Sequence, residues 1–119
     1  MSSTELELAY RKGIPKVVDV LGSKYHIELV KDSRLVDPTG SHPDLAGWIS
    51  TRDHLIRLHI NSTKRQVWEC LFHELFHAII ERLGIPIEFE AEEKVINLLT
   101  VGWMDVLLDI GFDAKKVKG

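Results

Sequence analysis

The sequence predicts a single α+β domain over residues 1–119, in which a small, mainly antiparallel sheet packs on two long C-terminal helices, with a short N-terminal helix before the sheet. Three patterns predict this fold class. Residues 24–30 alternate between polar and apolar side chains, as a half-buried strand does. Residues 48–60 hold two short apolar runs around a polar turn, which is typical of a hairpin. Residues 63–110 hold two long stretches with apolar residues at helical spacing.

Composition supports one folded domain and indicates neither a nucleic-acid partner nor a membrane partner. The chain has 119 residues, 45% of them apolar, and a net charge of -3. Basic residues are concentrated only at 115–118, too short a run for a nucleic-acid interface. The single cysteine, Cys70, cannot form an internal disulfide, and neither a signal segment nor an apolar run of about 18 residues is present. We therefore expect a cytoplasmic protein.

The first elements are predicted from capping and alternation. Thr4 and Glu7 have capping-box spacing, which predicts a short helix that stops near Gly13. Residues 17–21 either prolong this helix or begin a new segment, and Gly22 marks a break after them. Residues 24–30 then form the first clear strand.

A long loop and a hairpin follow. Residues 31–47 are rich in Asp, Ser, Pro and Gly, which favour turns over regular structure. Residues 48–50 and 54–60 are predicted strands, and the polar residues 51–53 join them.

Two long helices complete the domain. Thr63 and Gln66 form a capping-box pair, the following residues are mostly apolar through Leu83, and Gly84 provides a C-terminal stop. Residues 88–110 form the second helical pattern, with glutamates in the first turn, where the helix dipole favours them.

The first of these helices contains a candidate metal site with the pattern HExxH. His73 and His77 are four residues apart, so on a helix their imidazoles lie on the same face and can reach one metal ion. In this arrangement the histidines hold zinc, and the glutamate, here Glu74, is the general base that takes the proton from the attacking water. Burial of such groups in an apolar helix without a metal would carry a desolvation cost.

A catalytic zinc site needs a third protein ligand. The metzincin continuation HExxHxxGxxH is absent, because Ile80 stands at the glycine position and Leu83 at the histidine position. The second helix begins with several glutamates, and an antiparallel return would bring one of them to the histidines. Helical geometry alone leaves Glu92 and Glu93 open as this ligand.

The chain resembles a known group of small HExxH proteins. The run "VWECLFHELFHAII", after a short strand and a polar cap, is similar to proteins of phages and prophages related to the ImmA/IrrE and SprT-like minimal zincins. The resemblance continues through "EEKVINLLTVGWMDVL" and covers about the C-terminal two-thirds of the chain. It implies a minimal zincin-like fold of the gluzincin type, with Glu93 as the third ligand and Glu92 as the alternative. Asn97 is then a candidate to hold a ligand in orientation.

Two further residues have alternative interpretations. His59 is in the strand before the motif helix, where zincins often place an edge strand that pairs with substrate, but an exposed strand histidine is the simpler interpretation. Cys70, three residues before His73, either approaches the metal or is a small buried core residue.

These patterns lead to two functional expectations. The first is a zinc metallopeptidase with one Zn²⁺ and a peptide or protein substrate, delivered by an oligomer or a partner protein because so short a chain has few elements for substrate subsites. The second is a non-catalytic, zinc-stabilised binding or structural module in phage or prophage assembly or regulation. Such a site would need four protein ligands, with Cys70 or a second glutamate completing the shell. Both place the protein in a bacterial or phage-infected host cell.

Overall fold

The structure is a computed structural model that describes residues 13–32, 35–37, 39, 46–60 and 63–112. Within these residues the chain forms β1 (Val17–Val20), β2 (Ser23–Val30), β3 (Gly47–Ser50), β4 (Leu55–His59), α1 (Lys64–Leu83) and α2 (Phe89–Asp109). One four-stranded sheet and two long helices confirm the predicted α+β class. The helix predicted after Thr4 lies outside the described residues.

Val17–Val20 form a strand, so of the two alternatives for residues 17–21 the new segment is confirmed and the helical continuation is wrong. The reason is local. Leu21 and Gly22 have φ values of 51° and 94°, the conformation of a two-residue hairpin turn that matches strand twist. Asp19 Oδ1 accepts a hydrogen bond from the Gly22 N–H at 2.8 Å, which holds the turn and pairs β1 antiparallel with β2.

The strand order is β1-β2-β4-β3, and the sheet is mixed. β1 with β2 and β3 with β4 are antiparallel, as expected for a mainly antiparallel sheet, but β2 and β4 are parallel. β4 supplies Ile56 and Leu58, which are both fully buried. Because β4 lies between two other strands, the core surrounds these side chains. The strand before the motif helix is therefore internal, and β3 is at the edge.

The core lies between the sheet and α1. The predicted alternation in β2 is confirmed, because Tyr25, Ile27 and Leu29 are buried and the intervening residues are exposed. From α1, Val67 and Leu71 pack against this face of the sheet in the same core cluster.

Local signals define the ends of α1 close to their predicted positions. The Thr63 side chain accepts from the Gln66 N–H while the Gln66 side chain accepts from the Thr63 N–H, so the predicted capping box is present. Gly84 ends α1 in the left-handed conformation, with φ 65°.

α2 packs on α1 partly through the edge-to-face rings of Phe72 and Trp103. Neither helix has the combination of length and apolarity needed to cross a membrane.

Candidate metal centre

α1 presents the two histidines of the motif on one face. Their ring centroids are 4.9 Å apart, and the Nε2 atoms of His73 and His77 are 3.2 Å apart. His77 is buried and His73 half-buried at the wall of an open cleft. The i, i+4 spacing of a capped helix is sufficient to produce this convergence.

α2 brings Glu93 to the same point. Its Oε1 lies 3.5 Å from His73 Nε2 and contacts His77 Nε2 directly. One ligand atom from each of His73, His77 and Glu93 lies within 4.8 Å of the others. Among the residues that the structure describes, these three are the group of His, Cys, Asp and Glu side chains that could hold a metal ion.

Glu92, the neighbour of Glu93, contacts the other nitrogen of the same imidazole. Its Oε2 is in direct contact with His77 Nδ1. A carboxylate that accepts the second N–H of a metal-binding histidine fixes its tautomer and ring orientation. The two adjacent glutamates, which the sequence left open as alternatives, thus occupy different positions around His77.

Two of the three donor pairs have the spacing of ligands on one zinc ion. Zinc bonds of about 2.0–2.1 Å in a tetrahedron put ligand atoms about 3.3–3.4 Å apart, close to the 3.2 and 3.5 Å found for two of the pairs. Burial lowers the pKa of His73, which favours the neutral imidazole that a metal requires. Carboxylates face both nitrogens of His77, and a neutral imidazole can donate to only one of them. A cation bound at His77 Nε2 would be a partner for the Glu93 carboxylate, while the Nδ1–H of His77 would still donate to Glu92.

Glu74 is beside this group without belonging to it. Its side chain is 7% exposed, and burial raises its pKa to about 7, with the Glu93 carboxylate adding to the rise and His77 opposing it. Gly47 of β3 packs close to this carboxyl, since a Cβ there would lie 3.5 Å from Glu74 Oε1, at ordinary contact distance. A carboxyl with this pKa can exchange protons near neutral pH.

The histidines, Glu74 and Glu93 open onto one cleft of about 950 Å³. β3 forms one wall, and the α1–α2 junction forms the other. Trp48, Ile80, Ile85 and Phe89 make much of this lining apolar. Sequence reasoning missed the role of β3, because its edge position depends on the order of the strands in the sheet.

Three other residues considered from the sequence lie elsewhere. His59 is on the internal strand β4, where its Nε2 donates to the Lys31 carbonyl at 3.0 Å, and it does not line the cleft. Asn97 lines a smaller cleft behind His73 and Glu74. Cys70 also borders that smaller cleft, and burial raises its pKa to about 11, which disfavours the thiolate that would bind a metal.

Comparison with known proteins finds no significant match to a family model, a curated protein or a solved structure.

Proposed function

We propose that the protein is a zinc-dependent hydrolase of the minimal zincin type that cleaves a peptide bond, with His73, His77 and Glu93 as the zinc ligands and Glu74 as the general base. The observation that carries the proposal is the convergence of three donor atoms within 4.8 Å on a cleft that also contains a buried carboxyl. When bound, zinc would polarise the substrate carbonyl and lower the pKa of water to about 7.

The number of ligands favours catalysis over a purely structural role. Structural zinc sites are normally closed by four protein ligands, whereas catalytic sites have three and an open position. In the described part of the chain the candidate group has three members and faces the cleft. Cys70, the thiol considered for a fourth position, has a raised pKa and is absent from the group.

Glu74 has the properties of a general base at this position. It takes the proton of the attacking water and passes it to the leaving amine, two transfers that need a carboxyl whose pKa is near the working pH. Burial supplies that pKa, and Glu74 lines the cleft beside the histidines. Glu92 keeps the His77 ring in place through Nδ1.

An extended peptide is the substrate that the cleft fits best. β3 pairs with β4 on one side and lines the cleft with Gly47, Trp48 and Ile49. A strand at a sheet edge can bind an extended chain through backbone hydrogen bonds. The apolar lining around Trp48 and Phe89 favours an apolar side chain next to the scissile bond. The single cysteine is in keeping with action in the cytoplasm.

The test combines zinc content with peptide cleavage. The wild type and Glu74→Gln are expected to bind one zinc per chain, and only the wild type is expected to cleave a peptide library. Glu69→Gln is the matched control, because Glu69 is on the same helix and pairs with Arg65 at 3.1 Å instead of facing the metal group. Loss of zinc in Glu74→Gln, or equal cleavage by both proteins, would contradict the assignment.

The alternative is a zinc-stabilised module without turnover, for binding or assembly. It is favoured by one observation, namely that the donors come from both long helices, so a metal would tie α1 to α2. It predicts a large rise in melting temperature with zinc and no cleavage of any peptide by the wild type.

A further inference from the structure

The outer flank of α2 is unusually apolar for a helix exposed to solvent. Leu98 is 70% exposed and Ile110 is 73% exposed. Six large apolar side chains of α2 and its C-cap share this flank and are exposed: Val95, Leu98, Leu99, Trp103, Val106 and Ile110. We call this set the α2 stripe.

Helical spacing places the stripe away from the core. Ile96, Thr100 and Met104 are the buried residues of α2 and mark its inner face. Val95, Leu99 and Val106 follow at intervals of four and seven residues on the adjoining flank. From Val95 to Val106 this flank contains no charged residue, while Lys94 and Asp105 lie just beside it. The stripe is therefore a second apolar surface of the helix that adjoins the face packed on α1, and Trp103, whose ring contacts Phe72, lies at the boundary between the two.

The exposed area of the stripe reaches that of a protein interface. If a fully exposed large residue has an accessible area of roughly 180 Å², the six residues of the stripe together expose roughly 600 Å². The largest apolar patch of a typical monomer is about 300–600 Å². A standard interface buries about 800 Å² on each partner, of which about 65% is apolar in homodimers, or about 520 Å². The α2 stripe meets that requirement by itself.

Gly102 lies in the middle of the stripe and has no internal packing reason to be glycine. A Cβ there would meet nothing within 4 Å. Glycine in a helix interior is less favourable than alanine, because more backbone freedom is lost on folding. A second helix crossing at this point would benefit from its missing side chain, since the two backbones could approach closely.

We propose that the α2 stripe is the interface of a homodimer, in which α2 packs antiparallel against α2 of a second copy around Gly102. A twofold axis between Gly102 and Trp103 pairs Leu99 with Val106, and Val95 with Ile110, of the second copy, so apolar side chains meet apolar side chains. The antiparallel arrangement also keeps the acidic first turns, with Glu88 and Glu90, at opposite ends. This interface is independent of the proposed zinc chemistry.

The test is the mass of the full-length protein in solution, measured by sedimentation velocity over a wide concentration range. The wild type is expected to be a dimer, and Leu99→Glu is expected to raise the dissociation constant by at least about 30-fold, as loss of an interface hot spot does. Val101→Glu is the matched control, because Val101 is 58% exposed on the opposite flank of the same helix. It is expected to remain dimeric.

Circular dichroism separates loss of the dimer from loss of the fold, and Val106→Glu provides a second variant if Leu99→Glu unfolds. A monomeric wild type at every concentration would overturn the proposal. So would equal dissociation constants for folded Leu99→Glu and Val101→Glu, or a dimer that Val101→Glu disrupts more than Leu99→Glu does.

Discussion

Glu93 Oε1 lies 3.5 Å from His73 Nε2, across the junction of the two long helices. Its neighbour Glu92 instead contacts Nδ1 of His77. We therefore expect the two carboxylates to contribute differently to metal binding, although they are adjacent in the sequence.

Replacement of the glutamates one at a time tests this difference. Glu93→Gln removes an anionic ligand and is expected to lower zinc affinity by more than about 100-fold, while Glu92→Gln removes an orienting partner and is expected to cost about 10- to 100-fold. Glu90→Gln, an exposed residue of the same turn that does not line the cleft, is the control and should bind zinc as the wild type does. Competition with a chromophoric chelator measures the affinities. A greater loss in Glu92→Gln than in Glu93→Gln would reverse the assignment.

The buried carboxyl of Glu74 predicts a pH-dependent stability in chelator-treated protein. Burial raises its pKa from 4.5 to about 7 in the folded state. The folded chain therefore binds this proton more tightly than the unfolded chain. The resulting stabilisation is complete below the unfolded pKa and is lost as pH rises through the folded pKa.

Glu74→Gln removes that dependence because its amide stays neutral. The free energy of unfolding of the variant, measured by urea denaturation, is expected to exceed that of the wild type at pH 8 by up to about 3 kcal/mol. Near pH 4.5 the two proteins should be similar in stability. A difference that does not change between these pH values would show that the carboxyl is not desolvated in this way.

Cys70 is expected to react slowly with alkylating reagents. Burial raises its pKa to about 11, and the carboxylates of Glu74 and Glu69 add to the rise. Because the thiolate is the reactive form, a shift of the pKa from 9 to about 11 lowers the reactive fraction at pH 8 by about 100-fold. Iodoacetamide labelling, followed by mass spectrometry, should be at least that much slower in the folded protein than in urea. A labelling rate of the folded protein that levels off near pH 9 would indicate an ordinary thiol.

Gly84 is expected to stabilise the end of α1 through its backbone conformation alone. Its φ of 65° is costly for a residue with a Cβ, and a Cβ there would meet no atom within 4 Å. Gly84→Ala should therefore lower the free energy of unfolding by about 1 kcal/mol. Gly84→Asn should lower it by less, because asparagine tolerates the left-handed region. Equal losses in urea denaturation would indicate a side-chain clash instead.

The sequence by itself determined the elements whose signals are local. The capping box of Thr63 and Gln66 and the left-handed Gly84 involve residues within a few positions of one another, so α1 begins and ends close to its predicted bounds. Alternation in β2 and the hairpin of β3 and β4 are local in the same sense. His73 and His77 converge because one helical turn separates them.

Tertiary structure decided every relationship between elements distant in the chain. Which glutamate reaches which atom of His77 depends on how α2 crosses α1, and periodicity within one helix contains no information about that crossing. Strand order made β4 internal, turned His59 towards Lys31 and placed β3 at the cleft. The physical reason is the range of the interactions: hydrogen bonds within a turn depend on neighbouring residues, whereas packing between elements depends on the shape of the whole core.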